Sequence, residues 1–277
     1  MSSASNPIQI LDSLNDPRLA PYCNLRNQPR GNLTGMDGQS TFIAEGRLVV
    51  DRLLESDYEI ESLLLQAGSQ QSLLDGIPNH IPVYSLPGDE IRSLVGFDFH
   101  RGVMACGYRK RLSSIEEFSE RHVIPKVAVA MLGVTELENV GSILRSAAAF
   151  GIHAVLVDQL TADVYSRRVI RVSMATVFQH SFFQFDDVES QLRRLANDAS
   201  FRIIATALGT DSIPINDFVH RDQPTILMVG NEAQGLSERV KKIATDRLTI
   251  PMMPGTDSLN VGVATAIFMH ELTRQKS

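Results

Sequence analysis

Three polar stretches hold the residues whose types and spacing could do chemistry. In the first, Glu138-Asn139-Val140-Gly141-Ser142 opens a helical pattern whose next turn presents Arg145 beside Ala147, Ala148 and Ala149. In the second, Val229-Gly230-Asn231-Glu232-Ala233-Gln234-Gly235-Leu236 follows an apolar run. In the third, Ile250-Pro251 leads into a Pro/Gly loop, Met252 to Asp257, and Ser258-Leu259-Asn260 open a long apolar helix ending near Thr273. Each has a plain structural reading. Asn139 caps a helix and Arg145 pairs with a carboxylate. Gly230 serves a strand-to-helix turn, where it permits a positive φ or a close approach. Ser258 is an N-cap, its hydroxyl accepting from the first-turn N–H groups. That last reading leaves Asn260 unexplained. Other chemistry is missing: there is no G-x-G-x-x-G fingerprint, Walker loop or H-E-x-x-H pair. The seven histidines are scattered, and no three His, Cys, Asp or Glu residues fall at metal-ligand spacing, so no metal is expected.

The elements that must position these stretches alternate strand and helix. Residues 127–133 read as a buried strand, 138–151 as a helix, and HAVLVD as the next strand. A basic segment follows, YSRRVIRVSMATVF, then a strand SFFQF, a helix over 188–199 and the strand RIIATAL. TILMVG, a turn and helix from Asn231, and RLTIP complete the series. Strands feeding polar loops and then helices build a doubly wound parallel sheet, whose ligands bind at the strands' C-terminal ends. Val261, Val263, Ala264, Ala266, Ile267 and Phe268 make the final helix apolar nearly all round, which implies burial on every side.

Ahead of this lies a smaller alternation. Residues 1–40 are poor in periodicity, with a short helix around Pro17–Leu25 and then a loop. Residues 41–110 begin with FIAEGRLVVDRLLES at near-helical spacing, then alternate through IESLLLQA, SLLDGI, IPVYSLP, DEIRSLVG and GVMACGYRK. That pattern predicts a small α/β domain with largely parallel pairing. Residues 111–125, charged and then proline-punctuated, read as a linker to a domain over 126–277.

The totals fit two soluble domains: 277 residues, 43% hydrophobic and 21% charged. No apolar run approaches the ~20 residues needed to span a bilayer, so no membrane association is expected. Cys23 and Cys106 are too few for a disulfide framework, and the first 22 residues lack a basic leader and apolar core. A cytoplasmic location is expected. The net charge of −6 does not favour nucleic acid, but phosphate contacts need only a local basic patch. Arg167, Arg168 and Arg171 form the densest candidate, with Arg109-Lys110-Arg111 beside it and Lys241-Lys242 a weaker third. Taken singly, each reads as a solvated face.

Taken together, ENVGSILRSAAAFG, GNEAQGL and IPMMPGTDSLNVGVATAIFMHE, in that order and spacing, resemble the three motifs of the SpoU (TrmH-type) RNA 2′-O-ribose methyltransferases of the SPOUT superfamily. The resemblance covers residues 125–273, and 41–110 is similar to the ribosomal-protein-like substrate-binding domain often fused ahead of it. It implies a C-terminal α/β domain with a parallel sheet and a deep trefoil knot, a topology otherwise almost absent from folds. It implies a homodimer with active sites near the interface, S-adenosyl-L-methionine as cofactor, and rRNA or tRNA as substrate.

By motif, the resemblance puts Gly230, Ile250, Met252 and Leu259 against the cofactor, with Leu208 and Gly209 as a further wall. Asn139, Arg145, Glu232, Ser258 and Asn260 fall on the catalytic positions. Asn139 and Asn260 would orient the ribose, Ser258 would touch the same pocket, and Glu232 would hold the residues of the first motif. The resemblance gives Arg145 a part in deprotonation, either as base or as phosphate clamp. Because a guanidinium is a poor base, Arg145 is expected to clamp phosphate and stabilise the developing alkoxide. Arg167, Arg168 and Arg171 would contact the RNA backbone, setting register without reading sequence. The chain departs from the pattern where the family commonly reads S-x-G-A: here stands Ser173-Met174-Ala175-Thr176. His270 stands where an aromatic residue is expected. The alternatives are a catalytically silent RNA-binding protein on the same fold, and a dinucleotide-dependent oxidoreductase, against which the missing glycine fingerprint counts.

Overall fold

The computed structural model describes residues 8–11, 13–26, 33–35, 38–69, 71–74, 76–209, 211–219 and 222–274. Much of the loop expected after residue 25 lies outside them. The chain divides into two compact units: Met1–Lys110 with Asp163–Phe178, and Arg111–Ala162 with Gln179–Ser277. The continuous domain expected over 126–277 is therefore interrupted, because residues 163–178 cluster with the first unit.

The first unit runs β1 (Ile8–Ile10), a 3₁₀ turn (Pro17–Tyr22), β2 (Leu33–Thr34), β3 (Ser40–Glu45), α1 (Arg47–Leu54) and β4 (Ile60–Gln66). It continues through α2 (Gln71–Leu74), β5 (Val83–Leu86), α3 (Gly88–Val95) and β6 (Val103–Tyr108). The helical spacing read from residue 43 splits in two. Thr41, Phe42 and Ile43 are β-formers, buried in succession on β3. Gly46, at φ +96, ends the strand and lets α1 begin. The sheet order is β1-β5-β4-β6-β3-β2. Among the described residues of this sheet only the β1/β5 and β4/β5 pairs are parallel. Strand β6 returns antiparallel between β4 and β3, and this corrects the largely parallel pairing expected.

The second unit starts inside the stretch expected to be a linker. Residues β7 (Ser113–Ser114) join its sheet, and α4 (Ile115–Ser119) buries Ile115 and Phe118 in its core. A capping box fixes the start of α4: Ser114 accepts from the Glu117 N–H, and Glu117 accepts from the Ser114 N–H. Then follow β8 (Val127–Met131), α5 (Leu137–Ala149) and β9 (Ala154–Val157). The crossover from β9 contains α6 (Arg167–Val172), which belongs to the first unit. Next come β10 (Ser181–Gln184), α7 (Val188–Asn197), β11 (Arg202–Thr206), β12 (Ile213–Pro214), β13 (Thr225–Val229), α8 (Glu238–Lys241), β14 (Asp246–Thr249) and α9 (Val261–Thr273). All eight strands pair in parallel in the order β12-β14-β11-β13-β8-β9-β10-β7.

Helix α9 packs on α5. A Cβ on Gly262 would stand 3.2 Å from the Ser142 hydroxyl, so the small residue admits the neighbouring helix. Phe268 and Met269 are buried, but Val263 is 52% and Ile267 38% exposed. The expected burial on every side is corrected: one turn-spaced apolar face is open in the single chain. No helix among the described residues is long and apolar enough to cross a membrane.

Candidate functional site

In a parallel sheet the loops after every strand emerge at one edge. Those following β8, β11, β13 and β14 carry the candidate residues, and a network of side-chain hydrogen bonds ties three of the loops together. Its hub is Glu232. One carboxylate oxygen accepts from the Glu136 N–H at 3.0 Å and from Asn139 Nδ2 at 3.0 Å. The other accepts from the Thr135 N–H and hydroxyl, each at 3.2 Å. Partial burial pushes the Glu232 carboxyl upward. The hydrogen bonds from Asn139 and from the N–H groups of Glu136, Glu232 itself and Thr135 outweigh that, and hold it below the ordinary glutamate range. Glu232 is therefore an ionised anchor.

Asn139 is buried and nearly spent. Its Nδ2 donates to Glu136 Oε2 and Glu232 Oε1, both at 3.0 Å, and its Oδ1 accepts from Asn260 Nδ2 at 2.8 Å. Asn260, not Ser258, is the N-cap of α9. Its Oδ1 accepts from the Gly262 N–H at 2.9 Å and the Val263 N–H at 3.2 Å. This corrects the capping role expected of Ser258, which is exposed and lies two residues further out. An amide carries two N–H hydrogens, so Asn260 keeps one in hand after bonding Asn139.

Asn231 closes the second loop and was not singled out from the sequence. Its Oδ1 accepts from the N–H groups of Ala233 and Gln234, at 3.0 and 3.1 Å, and its Nδ2 donates to the Gly133 carbonyl at 2.9 Å. An Asn followed by a short polar turn is a signal for this arrangement. Gly230 is required by the same closure. A Cβ there would lie 2.4 Å from both the Gly235 carbonyl carbon and the Leu236 nitrogen. The neighbour that demands glycine is thus the loop itself.

Beneath these loops lies a cavity of about 290 Å³. Leu208, Gly230, Ile250, Met252 and Leu259, all expected against a cofactor, line it, and so do Glu232 and Ser258. Gly209 is outside the wall. Phe268 and Ala264 of α9, with Thr206, Gln234 and Lys241, complete the lining without having been anticipated. The long spacing between β11, α8 and α9 in the chain hides that convergence from any local pattern.

Arg145 is exposed on α5, and no hydrogen bond or ion pair with the described residues occupies its guanidinium. The three arginines expected at RNA lie in the first unit. Arg167 donates to Glu45 at 3.0 Å and lies over the Phe97 ring at 4.1 Å, and burial pulls its pKa down. Arg168 is exposed and Arg171 half-buried. At the variant Ser173-Met174-Ala175-Thr176 segment, Met174 and Ala175 both have positive φ, +53 and +64. The backbone thus keeps a left-handed turn without the glycine, and Arg52 donates to the Met174 carbonyl there. His270 sets its ring edge against Phe150, centroids 5.7 Å apart, so it still packs as an aromatic. Among the described residues no His/Cys/Asp/Glu group could hold a metal ion.

The model of the SpoU rRNA Methylase family matches residues 126–270. An uncharacterised tRNA/rRNA methyltransferase of Mycobacterium bovis is 32% identical over 96% of this chain and 92% of its own length. A 23S rRNA (guanosine-2′-O-)-methyltransferase of Nitrosomonas europaea is 30% identical over 68% of this chain and 72% of its own. The chain belongs to the SpoU family of RNA methyltransferases. An AdoMet-bound rRNA methyltransferase from Sinorhizobium meliloti superposes with a TM-score of 0.76 at 24% identity, over 96% of this chain and 97% of that one, a likeness of fold.

Proposed function

We propose that the chain transfers a methyl group from S-adenosylmethionine to a ribose 2′-hydroxyl of rRNA or tRNA. The observation that carries this is the continuous bond path Glu232–Asn139–Asn260. It couples the wall of the cavity to the start of α9, where Asn260 has a spare N–H and Ser258 a hydroxyl. The cavity suits the donor chemically. Leu208, Ile250, Leu259 and Phe268 offer apolar walls for a purine, and the one carboxylate among the described lining residues is already engaged by five donors. A relative of the same fold holds AdoMet, and another acts on a guanosine 2′-O, which supports donor and acceptor respectively.

When bound, the donor supplies an electrophilic methyl on a sulfonium. The chain's part is alignment, which by itself removes much of such a barrier. Asn139 is a positioning residue, since its bonding capacity goes to Glu136, Glu232 and Asn260. Asn260 and Ser258 face the ribose. Arg145, whose guanidinium is uncommitted, clamps the neighbouring phosphate and stabilises charge growing on the 2′-oxygen, and the hydroxyl proton leaves to phosphate or water. The open Val263/Ile267 face of α9 is the surface for a second copy, giving a homodimer, and the tail from β14 to α9 forms a trefoil knot.

Labelled S-adenosylmethionine and RNA from cells lacking the gene test the reading. Label recovered as 2′-O-methylnucleoside is the expected result. Donor bound without transfer would leave a silent RNA-binding protein, and label in a base would overturn the ribose assignment. Arg145→Ala should cut transfer roughly 10²–10³-fold, the scale for one lost donor to a developing oxyanion. Arg145→Lys should retain measurable transfer, most at raised pH. Donor affinity, by calorimetry, should be unchanged in both.

A further inference from the structure

Among the described residues that wall the cavity, Glu232 and Lys241 alone carry charge, and Lys241 is the single cation. Its position is fixed from its own short helix. Ser237 caps α8 by accepting from the Val240 N–H, and Lys241 Nζ donates to Glu238 Oε1 at 2.9 Å. The lysine side chain is 21% exposed and lines the cavity, whereas its partner Glu238 is 71% exposed and lies outside the lining. An ammonium has three N–H donors, and Glu238 takes one. Two remain for a ligand.

Glu238, itself in water, offsets the ammonium only in part, and a cation beside a cavity for a sulfonium donor favours a further negative group. S-adenosylmethionine has one, the carboxylate of its amino-acid end. Resting on the donor reading above, we propose that Lys241 binds that carboxylate and so fixes the amino-acid end of the donor, a role that none of the three motif stretches assigns. Charge-assisted hydrogen bonds of this type are short and strong relative to neutral ones. The contact is remote from sulfur, so it holds donor and demethylated product alike. It acts on affinity and orientation rather than on the methyl group.

Calorimetry with the full chain tests this using three ligands: S-adenosylmethionine, S-adenosylhomocysteine, and decarboxylated S-adenosylmethionine, which lacks only the carboxylate. The wild type should bind the decarboxylated compound about tenfold more weakly than the parent. Lys241→Met should lose about tenfold for the first two ligands and should no longer distinguish the parent from its decarboxylated form. Lys241→Arg should keep the distinction. Thermal unfolding of each variant, with the decarboxylated ligand's affinity as an internal control, separates this from misfolding. Persistent discrimination in Lys241→Met would overturn the assignment. So would a variant that gains affinity for the sulfonium relative to homocysteine product, because the lysine would then act by repulsion. If the wild type binds none of the three, the donor reading fails instead.

Discussion

The first unit and the loops of the candidate site use their charged side chains in opposite ways. In the first, cations are spent on the fold. Arg109 makes a bidentate pair with Asp163 at 2.9 and 2.8 Å, donates to the Thr41 carbonyl and lies over Tyr165. Arg167 pairs with Glu45, and Lys110 meets Asp57 at 2.5 Å over the Tyr58 ring. Around them Phe42, Tyr58, Tyr165 and Phe178 pack with centroids 5.1 to 6.0 Å apart, edge-on or tilted except for the stacked Phe42–Tyr165 pair, and the two tyrosine hydroxyls bond at 2.8 Å. In the second unit the candidate site is braced by amides and one carboxylate, while Arg145 and Ser258 keep their capacity. A dense run of arginines is therefore a poor guide to a binding surface. Spare hydrogen-bonding capacity beside a cavity is a better one.

Substitutions can break this contrast from either side. The largest stability effect is expected at Gly230→Ala, where the new methyl has only backbone to displace. It should destabilise the second unit by about 3–4 kcal/mol, in the upper tail for single changes, and weaken donor binding at least tenfold. Denaturant melts and calorimetry would measure both. Arg109→Ala, which strands Asp163 in a half-buried setting, should cost about 3 kcal/mol. Hydrogen exchange should place the loss in the first unit, with donor affinity unchanged. If donor affinity fell as well, the division of labour between the units would be wrong.

Glu232→Gln should cost roughly 2 kcal/mol, the scale for hydrogen bonds to a charged acceptor. It carries a pH signature. Because the folded carboxyl titrates below its ordinary value of 4.5, its contribution is present above that value and disappears as pH falls through the lower, folded one. The gap in melting temperature between wild type and Glu232→Gln should thus be widest near neutrality and close as the solution is acidified below pH 4.5. The smallest effect concerns the variant turn. Ala175→Gly removes a side chain from the left-handed region, where it costs roughly 1–2 kcal/mol, and should stabilise the first unit by about 0.5–1 kcal/mol after the entropy of the extra glycine. A rise in melting temperature without change in donor affinity would place the strain in scaffold rather than site.

Much of the second unit was legible in the chain. Strand-to-loop-to-helix alternation from Val127 onward matches the observed parallel sheet, because buried parallel strands are continuous apolar runs and leave polar turns at one end. The first unit was less so. The residues of β3 and α1 adjoin without a turn signal except Gly46, and the antiparallel return of β6 depends on a partner some 60 residues away. The linker assigned to 111–125 failed because a two-residue strand and a five-residue helix are too short to show a period.

By itself the sequence determined which side chains are available: three polar turns, in a fixed order, behind strands that must be parallel, and the identities of Asn139, Arg145, Glu232, Ser258 and Asn260. Only the tertiary structure decided what each is bonded to. Asn139 meets Glu232 across 93 residues and Asn260 across 121, and residues 163–178 leave the unit that surrounds them in sequence. The physical reason is that a buried amide must find partners for every polar atom. Those partners come from whichever loops the sheet order brings to one edge, which no local periodicity records.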